Sequence, residues 1–309
     1  MLLGLVAAIA VGFFAFSLVN FLSADETTGP EVLPTPEIGQ TSAPPTGVPD
    51  PEFNPPELPA PKDPDEAARW LTDNALYAQS VQAPTNCTLG RVFSQSVTPQ
   101  ELQEHLNLLS ACLMMVWQKP LEQAGFVMPR PPVTVYSTPI TTACGEMQTH
   151  NAFYCTLDQR IYYATDIYEI FHRNPQVVGN AFLPDNVMAH EFGHAIQGRT
   201  GIWISYAWLR SLAQEAAGLD LARRSETQAD CLAGMFLNAV AQASQMTDAE
   251  RAGILDIAFA GGDDQLSGNP DVVGDHGLGR SRRHWFETGM SNVQAAACNN
   301  WIAPADQVR

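Results

Sequence analysis

Apolar residues recur at helical spacing in two segments near the start of the folded region. Residues 66–79 and 98–118 carry them three and four positions apart, which is the pattern of amphipathic helices. The second segment opens with Thr98 and Glu101 at capping-box spacing before Leu102, so the start of that helix is marked as well. We expect a helical layer at the N-terminal end of this region.

Shorter apolar segments follow, and their composition predicts strands. They cover residues 133–136, 152–156 and 161–164, with a turn over 157–160. Because the segments are few and short, they predict a small sheet.

Beyond residue 175 the apolar residues return to helical spacing. A helix is predicted over 185–198, with glycines at 198–201 as a stop signal. A long Ala- and Leu-rich helical region over 206–244 follows, and Gly218 is expected to bend it. The pattern as a whole predicts a mainly helical α+β domain over residues 66–309.

Residues 1–22 contain no charged side chain. A helix rises about 1.5 Å per residue, so this segment reaches about 33 Å and can cross a hydrocarbon core of roughly 30 Å. It lacks the basic N-terminus and the small-x-small cleavage site of a secretory signal peptide. We therefore expect a transmembrane signal anchor with the rest of the chain outside the cytoplasm. The alternative is a cleaved signal peptide, which would release a secreted protein.

Residues 23–65 contain twelve prolines and few large apolar groups. This composition predicts a disordered, Pro-rich acidic linker. The stretch 1–65 holds nine acidic residues against one base, Lys62, and so accounts for −8 of the net charge of −17. The remaining −9 is a moderate surface charge for one large domain.

The overall charge also limits the kinds of partner that the chain can bind. A strongly acidic protein repels phosphate backbones, so we expect no nucleic-acid partner. Arg280, Arg282 and Arg283 form a short basic cluster, which is expected to pair with carboxylates of the same chain. With 45% apolar and 16% charged residues, the chain has enough apolar surface for a packed core.

All six cysteines follow the apolar N-terminus, and none forms a CxxC pair. An even number of cysteines in an exported chain indicates disulfides, and buried free thiols are the alternative. Spacing does not fix the connectivity. The pairing that we predict is Cys87 with Cys112, Cys144 with Cys155, and Cys231 with Cys298.

The predicted helix over 185–198 contains the sequence HEFGH. His190 and His194 are four residues apart, so a helix directs both imidazoles from one face toward a single metal ion. Glu191 lies about 100° around the helix from His190, where it can take a proton from metal-activated water without being a ligand. Chance occurrence of the pattern is the alternative interpretation.

A catalytic zinc ion usually has three protein ligands, so a third is required. The sequence ETQAD supplies Glu226 as a ligand and, four residues later, Asp230 to accept a hydrogen bond from a ligating histidine. Glu215 is the rival ligand, but it has no acidic partner four residues on. A solvated helix face is the alternative for Glu226 and Asp230.

The chain resembles the bacterial neutral zinc metallopeptidases, which belong to the zincin group. The resemblance rests on four ordered segments: AFYCTLDQRIYY (152–163), HEFGHAIQ (190–197), ETQADCLAG (226–234) and DHGLGRSRRHWFETG (275–289). It covers roughly residues 65–300 and is far more specific than HExxH alone. It implies a zincin-like peptidase domain.

The resemblance also assigns roles to residues. It implies His190, His194 and Glu226 as Zn²⁺ ligands and Glu191 as the catalytic base. His276 is the candidate donor to the oxyanion of the reaction, with Asp275 orienting it.

These observations predict a membrane-anchored zinc metallopeptidase that cleaves peptides or proteins outside the cytoplasm. The alternative is a zinc-stabilised binding or scaffold domain without turnover. Glu191 favours the enzyme, because a purely structural site needs a fourth protein ligand and no general base.

Overall fold

Helices account for most of residues 47–309, which are the residues that the computed structural model describes. The helices are α1 (Pro64–Thr72), α2 (Pro99–Gln123), α3 (Pro175–Val178), α4 (Leu183–Arg199), α5 (Ile202–Leu212), α6 (Glu215–Ala241), α7 (Asp248–Ala260), α8 (Asp263–Ser267) and α9 (Gly279–Met290). Short 3-10 helices lie at Ala75–Ala78, Ile167–Phe171, Ala295–Cys298, Asn300–Ile302 and Ala305–Gln307. The strands are β1 (Val133–Tyr136), β2 (Ile140–Thr142), β3 (Gly145–Met147), β4 (Ala152–Cys155) and β5 (Arg160–Ala164). The architecture is therefore helix-rich α+β with a small sheet, as predicted.

The predicted membrane anchor at 1–22 and the first part of the predicted linker, 23–46, lie outside the described residues. Over residues 47–309, no helix combines the length and the apolar character that a membrane span requires.

The second part of the predicted linker, residues 47–65, packs against the domain. The carbonyl oxygen of Pro56 accepts hydrogen bonds from Arg199 Nη1 at 2.7 Å and from Gln159 Nε2 at 2.8 Å. Prolines lack an N–H group but keep a carbonyl acceptor, so a proline-rich segment can dock through its carbonyls. The predicted linker extends to residue 65. In the structure, however, residues 47–65 already belong to the compact unit that contains the rest of the domain.

The sheet brings one strand alongside the central helix of the domain. Its strand order is β1-β5-β4, with β1 parallel and β4 antiparallel to β5. The hairpin β2–β3 packs through Ile140 and Met147 on an apolar cluster that includes Phe153 and Tyr162. The predicted disulfide between Cys144 and Cys155 is present and joins the hairpin to the end of β4.

Two predicted helices are each divided in the structure. The region predicted over 206–244 breaks at Ala213 and Gln214, which are both extended, whereas Gly218 lies inside α6. Packing can retain a glycine within a helix, and the region divides at Ala213 and Gln214, before the predicted position. The helix predicted over 66–79 ends at Thr72, and Asn74 then caps a 3-10 turn.

Helix α4 lies at the centre of the domain. Nearly every residue of α4 is buried, and it contacts α2, α5, α6, α7 and β4. At Gly193 the backbones of α4 and α6 approach so closely that a Cβ atom would lie 2.9 Å from the Ala229 Cα. This close crossing places α6 side chains directly beside the HEFGH face of α4. The other two predicted disulfides, Cys87–Cys112 and Cys231–Cys298, are also present.

Candidate metal centre

The crossing of α4 and α6 brings His190, His194 and Glu226 together. The His190 Nε2 atom lies 3.1 Å from His194 Nε2 and 3.2 Å from Glu226 Oε2, and the third side of the triangle is 3.5 Å. Neighbouring ligand atoms of a tetrahedral zinc ion with Zn–N and Zn–O bonds of about 2.0–2.1 Å are about 3.3 Å apart. The three atoms therefore have the spacing that one zinc ion requires.

The hydrogen bonds behind the two histidines direct their lone pairs into this triangle. His190 Nδ1 lies 2.9 Å from Asp230 Oδ1, and His194 Nδ1 lies 2.8 Å from Gln197 Oε1. Both partners are acceptors, because the Gln197 amide nitrogen already donates to the Ser225 carbonyl oxygen at 2.8 Å. Each Nδ1 thus carries a proton, so Nε2 is the atom through which each imidazole can bind a metal ion. The two Nε2 atoms and a carboxylate oxygen that face one another are a donor set that can bind a metal ion.

The charges at this triangle fit a metal ion. Burial would raise the pKa of Glu226, but His194 and His190 outweigh it and hold that pKa well below its usual range. Burial also opposes protonation of His190, yet Asp230 and Glu226 together raise its pKa to about 9. A metal ion therefore competes with a proton for His190 Nε2, as is usual for histidine ligands.

Glu191 lies next to the triangle and is almost completely buried, with 7% of its surface exposed. Its Oε2 atom accepts a hydrogen bond from the Tyr154 backbone N–H in β4 at 2.9 Å. Burial raises the pKa of Glu191, and the neighbouring His190 and His194 only partly oppose this effect. The carboxylate is thus held in place by one oxygen and has an increased affinity for a proton.

Arg282 in α9 belongs to the site, a position that the sequence did not predict for it. Its Nε and Nη2 atoms donate to the two oxygens of Asp230, both at 2.8 Å, and its Nη1 donates to the Gly261 carbonyl oxygen at 2.8 Å. Arg282 and His190 outweigh the effect of burial and lower the pKa of Asp230. The sequence predicted a carboxylate partner for Arg282, and this pair confirms that expectation. Only the fold shows that the partner is the residue behind His190.

The sequence also did not predict a role for Gln197, although it lies only three residues after His194. Besides the Ser225 carbonyl, its amide nitrogen donates to Gln228 Oε1 at 3.0 Å. Gln228 in turn donates to the carbonyl oxygen of Cys298 at 3.1 Å. Fully buried amides thus fix the orientation of His194, whereas a carboxylate fixes that of His190.

His276 lies in the loop before α9, with 53% of its side chain exposed. Its Nδ1 atom lies 3.1 Å from Asp275 Oδ1 and 3.4 Å from Asp263 Oδ1, so the predicted partner Asp275 is joined by Asp263. Partial desolvation opposes the charge, but the two carboxylates outweigh it and raise the pKa of His276 well above its usual value. His276 and Glu226 are close enough for each to shift the pKa of the other.

The rival third ligand, Glu215, is not part of this arrangement. It is the exposed first residue of α6, eleven positions before Glu226, which corresponds to about 16 Å along a helix. The described group of possible metal ligands at this place consists of His190, His194 and Glu226.

Fold and site together define a helix-rich α+β protein with a candidate metal centre of two histidines and one glutamate. Residues 73–301 match the family described as "Putative neutral zinc metallopeptidase", and the chain belongs to that family.

Similar proteins are found in distant bacteria. The chain is 29% identical to "Uncharacterized protein YpfJ" of Escherichia coli, over 67% of this chain and 75% of that protein. It is also 29% identical to "Uncharacterized protein Rv2575" of Mycobacterium tuberculosis, over 56% of this chain and 63% of that protein. No solved structure matches the chain.

Proposed function

We propose that this protein is a zinc-dependent peptidase that hydrolyses peptide bonds outside the cytoplasm. The observation that carries the proposal is the convergence of His190, His194 and Glu226 with Glu191 beside them. Three protein ligands leave a zinc coordination position open, which is typical of catalytic sites, whereas structural sites have four. A zinc ion held there supplies Lewis acidity, which lowers the pKa of a water molecule and polarises a carbonyl group.

Glu191 is the proton carrier in this proposal. The Tyr154 N–H engages its Oε2 atom at 2.9 Å, so Oε1 is the oxygen that takes the proton from the attacking water. Burial raises its pKa, which makes the carboxylate a stronger base near neutral pH. The same carboxyl group then gives the proton to the leaving amine.

The edge strand β4 supports a peptide as the substrate. The Asn151 carbonyl oxygen accepts a hydrogen bond from the Ala164 N–H, so by alternation the peptide groups of Ala152 and Tyr154 face away from β5. The sheet as described ends at β4, and Glu191 lies on that open side. An extended peptide can add to such an edge through main-chain hydrogen bonds.

His276 is the proposed donor to the oxyanion that forms on the scissile carbonyl. Asp275 and Asp263 both face its Nδ1 atom, so Nε2–H is the group that remains to donate. The raised pKa favours the charged imidazolium at neutral pH, which is the better donor to an oxyanion.

The three disulfides indicate an oxidising compartment. We propose that residues 1–22 anchor the protein in the membrane and that the domain lies outside the cytoplasm.

The test uses the full-length protein with its zinc content measured. Wild type and Glu191→Gln are assayed on a mixed peptide library, and Glu215→Gln serves as a control because Glu215 is exposed and distant from the site. We expect all three to bind zinc and only Glu191→Gln to lose cleavage. Equal cleavage by Glu191→Gln would reject the catalytic assignment, and zinc binding without cleavage by wild type would favour the scaffold alternative.

A second comparison tests the third ligand. Glu226→Ala removes the only carboxylate of the triangle and is expected to lose zinc, as measured by competition with a chromogenic chelator. Glu215→Ala is expected to keep it. The reverse result would identify Glu215, at the start of α6, as the third ligand.

A further inference from the structure

A cleft of about 220 Å³ lies beside the loop that carries His276. Its walls combine the apolar side chains of Val272, Val273 and Leu278 with the charged side chains of Arg223, Asp263 and Arg309. The cleft thus offers both apolar surface and guanidinium groups to a ligand.

The cleft and the proposed metal centre share two elements, helix α6 and the loop that carries His276. Arg223 precedes Glu226 by three residues on α6, so their Cβ atoms are about 5–6 Å apart on one helix face. The Arg223 Nη1 atom donates to the Gly274 carbonyl oxygen at 3.1 Å and so holds the loop two residues before His276. The cleft therefore borders the elements that carry Glu226 and His276, the residues proposed to act on the substrate.

Asp263 is the only side-chain carboxylate among the described residues that line the cleft, and it is already bonded to the loop. Asp263 Oδ2 accepts hydrogen bonds from the backbone N–H groups of His276 at 3.1 Å and Gly277 at 3.0 Å. Its Oδ1 atom lies 3.4 Å from His276 Nδ1. These contacts hold Asp263 against the His276 loop, and no hydrogen bond joins it to Arg223.

Arg223 lacks a dedicated anion. Its Nε atom is buried and has no hydrogen-bond partner among the described residues. The nearby Asp220 is paired with Arg224 at 2.8 Å. Burial lowers the pKa of Arg223, and Asp220 and Asp263 do not offset this effect. A partly buried guanidinium that has no carboxylate hydrogen-bonded to it is stabilised by an incoming carboxylate, which accepts charge-assisted hydrogen bonds from it.

We propose that this cleft is a substrate subsite in which Arg223 binds a carboxylate of the peptide, while Val272, Val273 and Leu278 contact the aliphatic carbons next to it. The carboxylate comes either from an acidic side chain or from the C-terminus of the substrate. This subsite rests on the proposed peptidase function.

The test uses one cleavable peptide in three forms. The neutral form is amidated and contains glutamine, the second has glutamate in place of glutamine at each position in turn, and the third has a free C-terminal carboxylate. The zinc-loaded proteins are wild type, Arg223→Gln, Arg223→Lys and, as a control with the same charge change at an exposed position, Arg69→Gln. Binding of the same peptides to the Glu191→Gln protein, with and without Arg223→Gln, is measured by calorimetry.

We expect kcat/KM for one of the two carboxylate forms to exceed that for the neutral form by about tenfold, as one charge-assisted hydrogen bond provides. Arg223→Gln removes this preference, so the ratio of kcat/KM between the carboxylate form and the neutral form falls to about one, whatever loss of the Gly274 hydrogen bond does to cleavage of both forms. Arg69→Gln keeps the preference, and Arg223→Lys keeps part of it. The form that is preferred identifies the source of the carboxylate.

Cleavage of all three forms with equal kcat/KM would overturn the subsite and leave the peptidase function intact. A preference that survives in Arg223→Gln would overturn the assignment to Arg223. If no peptide is cleaved, tighter calorimetric binding of a carboxylate form that depends on Arg223 supports the subsite while the peptidase function fails. Equal binding of all forms overturns the subsite in that case.

Discussion

Replacing Arg282 with glutamine tests whether a residue outside the metal triangle determines its zinc affinity. The change removes both hydrogen bonds to Asp230 and leaves a carboxylate whose side chain is only 3% exposed with the His190 Nδ1–H as its remaining partner. Breaking a buried ion pair by removing one partner costs about 3–5 kcal/mol of folding free energy. Loss of a group that orients a metal ligand lowers metal affinity by about 10- to 100-fold.

The assay for Arg282→Gln combines chelator competition for zinc with denaturant unfolding of the metal-free protein. Arg283→Gln is the matched control, because Arg283 lies next to Arg282 on α9 and pairs at 2.8 Å with Asp256, whose side chain is 54% exposed. An exposed pair contributes about 0–1 kcal/mol, so the control is expected to change little. Arg282→Lys keeps the charge but cannot form both parallel hydrogen bonds.

Arg282→Gln has two effects on zinc affinity, and they oppose each other. Removing a positive charge attracts a cation, whereas loss of the Asp230 contacts releases His190 from its ligating orientation. We expect orientation to dominate and zinc affinity to fall in both Arg282→Gln and Arg282→Lys. A gain of affinity in Arg282→Gln would refute this reasoning, because it would mean that Arg282 acts on the site chiefly by repelling the metal.

Two further predictions concern histidines outside the triangle. His276→Gln is expected to lower kcat/KM about 10²-fold or more with unchanged zinc content, as loss of an oxyanion donor does; equal losses of zinc and activity would instead indicate a structural role. His105 lies 3.2 Å from the fully buried Asp185. Burial opposes its charge, but Asp185 outweighs it and raises the pKa of His105. The pair therefore stabilises the fold fully below the unfolded-state pKa of about 6.5 and loses this contribution as pH rises through the folded-state pKa. Urea unfolding at a series of pH values should show this loss in wild type and not in His105→Gln.

Local sequence patterns predicted the parts of the site that lie within one helix. A four-residue spacing places His190 and His194 on one face wherever the helix lies, and the capping box at Thr98 marks the start of α2 in the same way. The four-residue spacing of Glu226 and Asp230 also predicts a shared helix face, since both residues belong to α6. These features depend on helical geometry, which neighbouring residues in the chain determine.

The tertiary structure decided which elements meet. Arg282 reaches Asp230 across 52 positions and Tyr154 reaches Glu191 across 37, and no local spacing encodes such contacts. The proline-rich residues 47–65 docked on Arg199 although their composition is that of a linker, because docking requires only an acceptor carbonyl and a donor on the opposing surface. Helix α4 was predicted over 185–198, but it is buried on all sides, so no single apolar stripe indicated which elements pack against it. The sequence by itself thus determined the residues available for chemistry and their spacing within each helix. Only the packing of α4 and α9 on α6 determined which of them share one site, since that packing depends on contacts between residues far apart in the chain.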